Sequence, residues 1–192
     1  MLNTRLKSLL CTIAMSVGVT TATAAADTLY NYTDGVFTYK GGTVVADSII
    51  EYNGSEYITS SDGKPVTGWI KNGDAWYYST TSGELQTGWI VCNNKSFYLN
   101  NDSMKLQTGL ISTPIGMAYM QTSGENTLGW SKINGDWYYF ETKEYRGCKI
   151  SIAKTGWLEN RESWYYFYPD GKMAREAYID GYFLDSQGVW RK

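Results

Sequence analysis

Indole and phenol rings recur along this 192-residue chain at a spacing that can build stacking surfaces for a ligand. Gly68-Trp69, Gly88-Trp89, Gly109-Leu110, Gly129-Trp130 and Gly156-Trp157 follow one another at intervals of 20, 21, 20 and 27 residues. Three of them precede an aromatic triplet: Trp76-Tyr77-Tyr78, Trp137-Tyr138-Tyr139 and Trp164-Tyr165-Tyr166. A core alone would favour Phe, Leu and Ile, yet 17 Tyr and 8 Trp stand against 5 Phe. Tyr and Trp carry a polar handle and suit half-wet surfaces. Bond-making chemistry is poorly supplied by comparison. Histidine is absent, which removes the commonest general base, the usual zinc ligand and every Ser-His or Cys-His pair. Paired carboxylates such as Glu159 and Glu162 could in principle cleave a glycoside. They fall at a solvated hairpin tip, where nothing would desolvate one of them and raise its pKa. The expectation is a binding protein that is not an enzyme, with no catalytic residue, metal or cofactor.

Self-similarity at a short fixed period decides the architecture. In TGWIKNGDAWYY, Asn72-Gly73 signals a two-residue hairpin turn. Folding about it predicts Lys71 opposite Asp74, Ile70 opposite Ala75 and Trp69 opposite Trp76. Tyr78 then shares the face of the two indoles and Tyr77 takes the other. TGWLENRESWYY predicts a turn at Asn160-Arg161, with Glu159 facing Glu162. In LGWSKINGDWYY the Asn-Gly signal lies one residue later, yet Trp130 and Trp137 keep their interval of seven. Across a hairpin that interval returns both rings to one face. Polar loops follow each hairpin, then an apolar residue (Leu85, Leu106, Leu128 or Met173) and the next glycine-aromatic start.

Two units are eroded: TGWIVCNNKSFYL, with Phe97 read at the triplet tryptophan, and TGLISTPIGMAYM, with Leu110 and Ala118 read at the two tryptophan positions. Residues 50–66 read as a degenerate copy and 178–190 as a shortened terminal one. Residues 27–46 are β-like without a clear period. A single hairpin per ~20 residues cannot bury a core by itself, so stacked neighbours must complete it. The expected fold is all-β, a solenoid of stacked β-hairpin repeats of about 20 residues, with hairpins from about residue 50 onward.

The first residues read differently. Arg5 and Lys7, an apolar stretch from Leu9 to Val19 and Ala24-Ala25-Ala26 form the pattern of a secretory signal peptide over residues 1–26. The stretch is too short for a bilayer, which needs ~20 apolar residues, so no membrane span is expected. Residues 27–66 then form an N-terminal segment with the degenerate repeat, and 67–192 the repeat region. Loss of Arg5 and Lys7 leaves 15 basic against 19 acidic residues, a net charge of −4. That balance offers nothing to a phosphate backbone, so nucleic acid is not an expected partner. Cys92 and Cys148 lie in non-adjacent repeats, and two free thiols are expected.

The pattern TGW…NG.WYY…G.(M/L)…TGW resembles the cell-wall-binding repeats, also called choline-binding repeats. The match covers about Val66 to Met173. The resemblance implies an exported, wall- or surface-associated protein of a Gram-positive bacterium or its phage. Its partner would be choline on teichoic acids. Related repeats serve glucan and glycan recognition, so a cell-wall or extracellular polysaccharide is the alternative partner. A lysin module lacking its catalytic part is a further one. The resemblance also implies cages of two aromatics from one hairpin and a third from the next. These would be Trp69 and Trp76 with Tyr98, Trp130 and Trp137 with Tyr166, and Trp157 and Trp164 with Phe183. A fourth would join Trp89 and Phe97 to Tyr119, and an insertion around residues 144–153 separates the second cage from its neighbour. A quaternary ammonium donates no hydrogen bond, so its selective capture relies on aromatic faces, Trp best of all.

Overall fold

The computed structural model describes residues 29–190, and every element in that range is a strand of an antiparallel hairpin. The expected signal peptide lies outside the described residues. No described helix is long and apolar enough to cross a membrane. The chain divides into two compact units. Among the described residues, the first comprises those up to Gly88 together with Leu99–Leu106, and the second comprises Trp89–Tyr98 together with those from Gln107 to Trp190.

In the first unit β1 (Tyr30–Thr33) pairs with β2 (Val36–Tyr39), β3 (Ile49–Tyr52) with β4 (Ser55–Ile58), and β5 (Gly68–Asn72) with β6 (Ala75–Ser79). The second unit holds β7 (Gly88–Cys92) with β8 (Lys95–Leu99), apart from their end residues Gly88 and Leu99, and β9 (Gly109–Thr113) with β10 (Gly116–Met120). It continues with β11 (Gly129–Ile133), β12 (Asp136–Tyr145) and β13 (Cys148–Ala153) in one three-stranded sheet. Two further hairpins follow, β14 (Gly156–Asn160) with β15 (Ser163–Phe167) and β16 (Ala177–Ile179) with β17 (Tyr182–Leu184). The all-β hairpin expectation holds, but the hairpins begin at Tyr30 rather than near residue 50. The Asp34-Gly35 pair, with φ of 54° and 79°, makes the two-residue turn that closes β1 on β2.

The register differs from the sequence reading. Trp69 stands opposite Tyr78, Lys71 opposite Trp76 and Asn72 opposite Ala75. The central turn residues are therefore Gly73 and Asp74, not Asn72 and Gly73. Gly73 has φ of 58° while Asp74 is not left-handed, the arrangement in which Gly is favoured at the first central position. In β14–β15 the turn is Arg161-Glu162, so Glu159 faces Trp164, not Glu162. Across the repeats the turn stays four residues beyond the first tryptophan, and only the Asn-Gly letters shift. Trp130 accordingly faces Tyr139 and Lys132 faces Trp137, the same ladder as in β5–β6.

This register fixes two faces. The middle triplet residue and the residue after the triplet point inward. Tyr77 and Ser79, Phe97 and Leu99, Ala118 and Met120, and Tyr138 and Phe140 are all buried. In the first unit Ile58, Ile70, Tyr77 and Met104 form one cluster. Buried Ser79 satisfies its hydroxyl by donating to the Val66 carbonyl at 2.8 Å. In the second unit Tyr98, Ala118, Met120, Ile150 and Ile152 form one cluster, and Ile133, Tyr138, Phe140 and Ala153 another.

A second hydrogen-bond set links successive repeats within each unit. The linker after one hairpin donates a backbone N–H to the previous hairpin at the first triplet position. The pairs are Leu85 to Glu56, Leu106 to Trp76, Asn126 to Ser96, Met173 to Trp137 and Trp190 to Trp164. Asn126 thus takes the place expected for Leu128, which is 63% exposed. Tight linker turns need glycine: at Gly171, φ 82°, a Cβ would sit 2.9 Å from that of Ala153. The insertion between the fourth and fifth repeats becomes the end of β12 and all of β13. Its outer edge is met by Asn126, whose side-chain oxygen accepts from the Ser151 N–H and whose amide donates to the Ser151 carbonyl at 3.1 Å.

Candidate functional site

Strand alternation puts both tryptophans and the last tyrosine of each triplet on the face opposite the core. Each first tryptophan then meets its ladder partner edge-on. Trp69 lies 5.1 Å from Tyr78, Trp130 5.2 Å from Tyr139 and Trp157 5.3 Å from Tyr166, centroid to centroid. The two indoles of a hairpin are diagonal neighbours rather than facing partners, and Trp130 and Trp137 are 6.2 Å apart. The same-face expectation therefore holds and the directly opposed one does not.

The third ring comes from a position other than the expected one. Trp130 is met by Tyr165 at 4.8 Å and Phe167 at 5.7 Å from the following hairpin. Tyr166, the expected partner, sits on its own Trp157. Phe183 likewise lies 5.0 Å from Tyr178, its own ladder partner. Trp157 is met instead by Tyr182 at 5.8 Å and Trp190 at 6.4 Å, and these two rings are 4.8 Å apart. The reason is directional. The last triplet tyrosine faces the same way as its own tryptophans, so a ring reaching back to the previous hairpin must come from the opposite face.

The terminal group carries a polar member as well. The Trp157 indole N–H donates to Asp180 Oδ2 at 3.3 Å. Asp180 opens the two-residue turn between β16 and β17, with φ of 52°. The sequence reading puts Tyr165 in a triplet and Asp180, Tyr182 and Trp190 in the shortened terminal repeat, but it expects none of them, nor Phe167, to line a cage. Applying strand alternation to the neighbouring hairpin, rather than aligning triplet to triplet, would have found the rings.

The eroded repeats depart further. The residue seven beyond Trp89 is Ser96, so Phe97 holds the middle position and is buried in the core. Trp89 lies 5.2 Å from Tyr98, packs against the cluster that contains Ile150 and Ile152, and leaves its buried indole nitrogen without a hydrogen-bond partner. Seven beyond Leu110 is Met117, and Ala118 is likewise a core residue with no exposed area. Tyr119 stacks on Phe140 at 6.4 Å. Of the expected first cage, Trp69 and Trp76 belong to the first unit, Trp76 being 43% exposed, and Tyr98 is buried within the second.

Charge near these rings is uneven. Lys71 and Lys132 stand opposite Trp76 and Trp137, whereas Glu159 stands opposite Trp164. Asp136, next to Trp137 in sequence, pairs with Lys172 at 3.0 Å, and that bond raises the Lys172 ammonium pKa above its ordinary value. Among the described residues no group of His, Cys, Asp or Glu is placed to hold a metal ion. Cys92 and Cys148 are both free.

Residues 67–85, 129–145 and 155–173 match the family model Choline_bind_1, described as "Putative cell wall binding repeat". These three segments are repeats of that cell-wall-binding type. The chain is similar to the solved structure of CbpJ from Streptococcus pneumoniae TIGR4, with 27% identity, a TM-score of 0.70, and coverage of 85% of this chain and 58% of that one. It is also similar to choline binding protein F from Streptococcus pneumoniae, with 28% identity, a TM-score of 0.66, and coverage of 86% and 57%. The same protein solved in the presence of a peptidoglycan analogue gives 28% identity, a TM-score of 0.67, and coverage of 86% and 58%. The chain thus spans under three-fifths of the length of these structures. No curated protein matches.

Proposed function

We propose that the chain is a non-catalytic, exported cell-wall-binding protein that attaches through aromatic cages to choline on teichoic acids. The observation that carries this reading is the ring cluster around Trp157, where Tyr166, Tyr182 and Trp190 present aromatic surface beside a carboxylate. Each ring over a quaternary ammonium contributes about 0.5–2 kcal/mol. Two or three rings then give roughly 4 kcal/mol, a dissociation constant near ~1 mM. One such cage is weak, but several engaged on one polymer gain affinity through effective concentration. The similarity to choline binding protein F supports the same ligand class.

Titration of intrinsic tryptophan fluorescence tests the reading. Choline at millimolar concentration should change the emission saturably, and α-glucans should not. Saturation by a glucan with no response to choline would replace the quaternary ammonium by a sugar ring stacked on the same indoles. Release of soluble wall fragments by the purified chain would overturn the non-catalytic reading.

A further inference from the structure

We infer that Glu159 and Asp180 make the Trp157 cage the cation-selective site of the chain, and that Lys132 suppresses the same selectivity at the Trp130 cage. The inference rests on the reading that the cages hold a quaternary ammonium, and it assigns a rank and a cause to them. The two hairpins share one ladder, so residues at equivalent positions are directly comparable. Opposite the second tryptophan, the first has Lys132 and the second has Glu159. Cross-strand partners have Cβ atoms about 4.5–5.5 Å apart on one face, and residues two apart on a strand share that face, so Lys132 lies on the face of Trp130 and Trp137 and Glu159 on the face of Trp157 and Trp164. The terminal hairpin adds Asp180, whose Oδ2 accepts from Trp157 Nε1 and therefore lies at the rim of that ring. Near the Trp130 cage, Asp136 is already paired with Lys172.

The consequence follows from Coulomb's law. A unit charge a few ångströms from a bound cation, at the dielectric of bulk water that reaches an exposed rim, contributes about 1 kcal/mol and changes affinity by roughly three- to tenfold. The sign is attraction at Trp157 and repulsion at Trp130. A ligand of the same shape without charge feels neither. The carboxylates therefore act on charge, while the rings act on shape.

The test uses the full chain with ¹⁵N-labelled tryptophan, following the indole N–H resonances of Trp157 and Trp130. Each is assigned by its disappearance in Trp157→Phe or Trp130→Phe. Choline is titrated beside dimethylbutanol, its neutral carbon isostere. At low salt Trp157 should report choline about five- to tenfold tighter than Trp130 does. The double variant Glu159→Gln, Asp180→Asn keeps an acceptor oxygen for the indole and should lose about tenfold for choline at Trp157, and far less for the isostere. Lys132→Glu, a change of two unit charges, should gain about tenfold or more for choline at Trp130, a gain that misfolding cannot mimic. Equal losses for both ligands, or unchanged choline affinity in all variants, would overturn the charge assignment while leaving the cages in place. No response of either indole to choline would overturn the assignment together with the function it rests on.

Discussion

Trp89 and Trp157 open repeats with the same Thr-Gly-Trp start, yet one indole packs against an aliphatic cluster and the other lies among rings and a carboxylate. Trp89 faces Ile150 and Ile152 of the inserted strand β13, with Ala118 and Met120 beside them, and its N–H is buried without a partner. Trp157 faces Tyr182 and Trp190, and its N–H is held by Asp180. The difference lies in what the next elements supply. Aliphatic side chains close over an indole and leave no room for a cation. Rings leave π faces, and a carboxylate at the edge complements positive charge. The repeat motif thus builds the platform, and the neighbours decide whether it is filled.

The largest expected effect comes from the buried position that follows the triplet. Phe140→Ala should destabilise the protein by about 3–5 kcal/mol, read by urea unfolding, because a fully buried ring is replaced by a cavity. A loss below about 1 kcal/mol would mean the core face is misassigned. Next, Ile152→Ala should cost roughly 2–4 kcal/mol of stability and leave choline affinity at Trp157 unchanged. If that variant instead weakened binding at Trp157, the filled and open regions would not be independent. Trp157→Ala should do the reverse at the terminal cage. It should weaken choline by about tenfold or more, with Trp157→Phe weaker in effect because a smaller π face remains.

Smaller effects sharpen the contrast. Trp89→Phe removes an unpaired buried N–H along with part of the ring. It should cost less than about 1.5 kcal/mol, since the lost packing is offset by the relieved polar group. Replacing Met117 by Ala in the eroded repeat should leave choline affinity unchanged after correction for stability. A marked loss of affinity there, with the fold intact, would make that repeat a site.

Much of this was legible in the sequence. The glycine-aromatic period named the hairpins, and the interval of seven between Trp130 and Trp137 put both rings on one face. The register was not legible, because Asn-Gly in β5–β6 straddles the turn boundary whereas Asn134-Gly135 occupies it. That two-residue error made Trp69 face Trp76 instead of Tyr78. It was harmless for the choice of face because strand alternation has a period of two. The third ring was misplaced for a different reason. Aligning Tyr166 with Tyr98 ignores that repeats meet front to back, which selects Tyr165. Asp180 was legible only as a turn residue of the shortened terminal repeat, since Asp-Gly is common to any hairpin and carries no sign of a ring beside it.

A crystal of the full chain soaked in choline tests the central claim most directly. The account predicts density for the quaternary nitrogen within about 6 Å of the Trp157 and Trp130 ring centroids, and none at Trp89. Empty faces at Trp157 and Trp130 under saturating choline, or choline seated against Trp89, would contradict it.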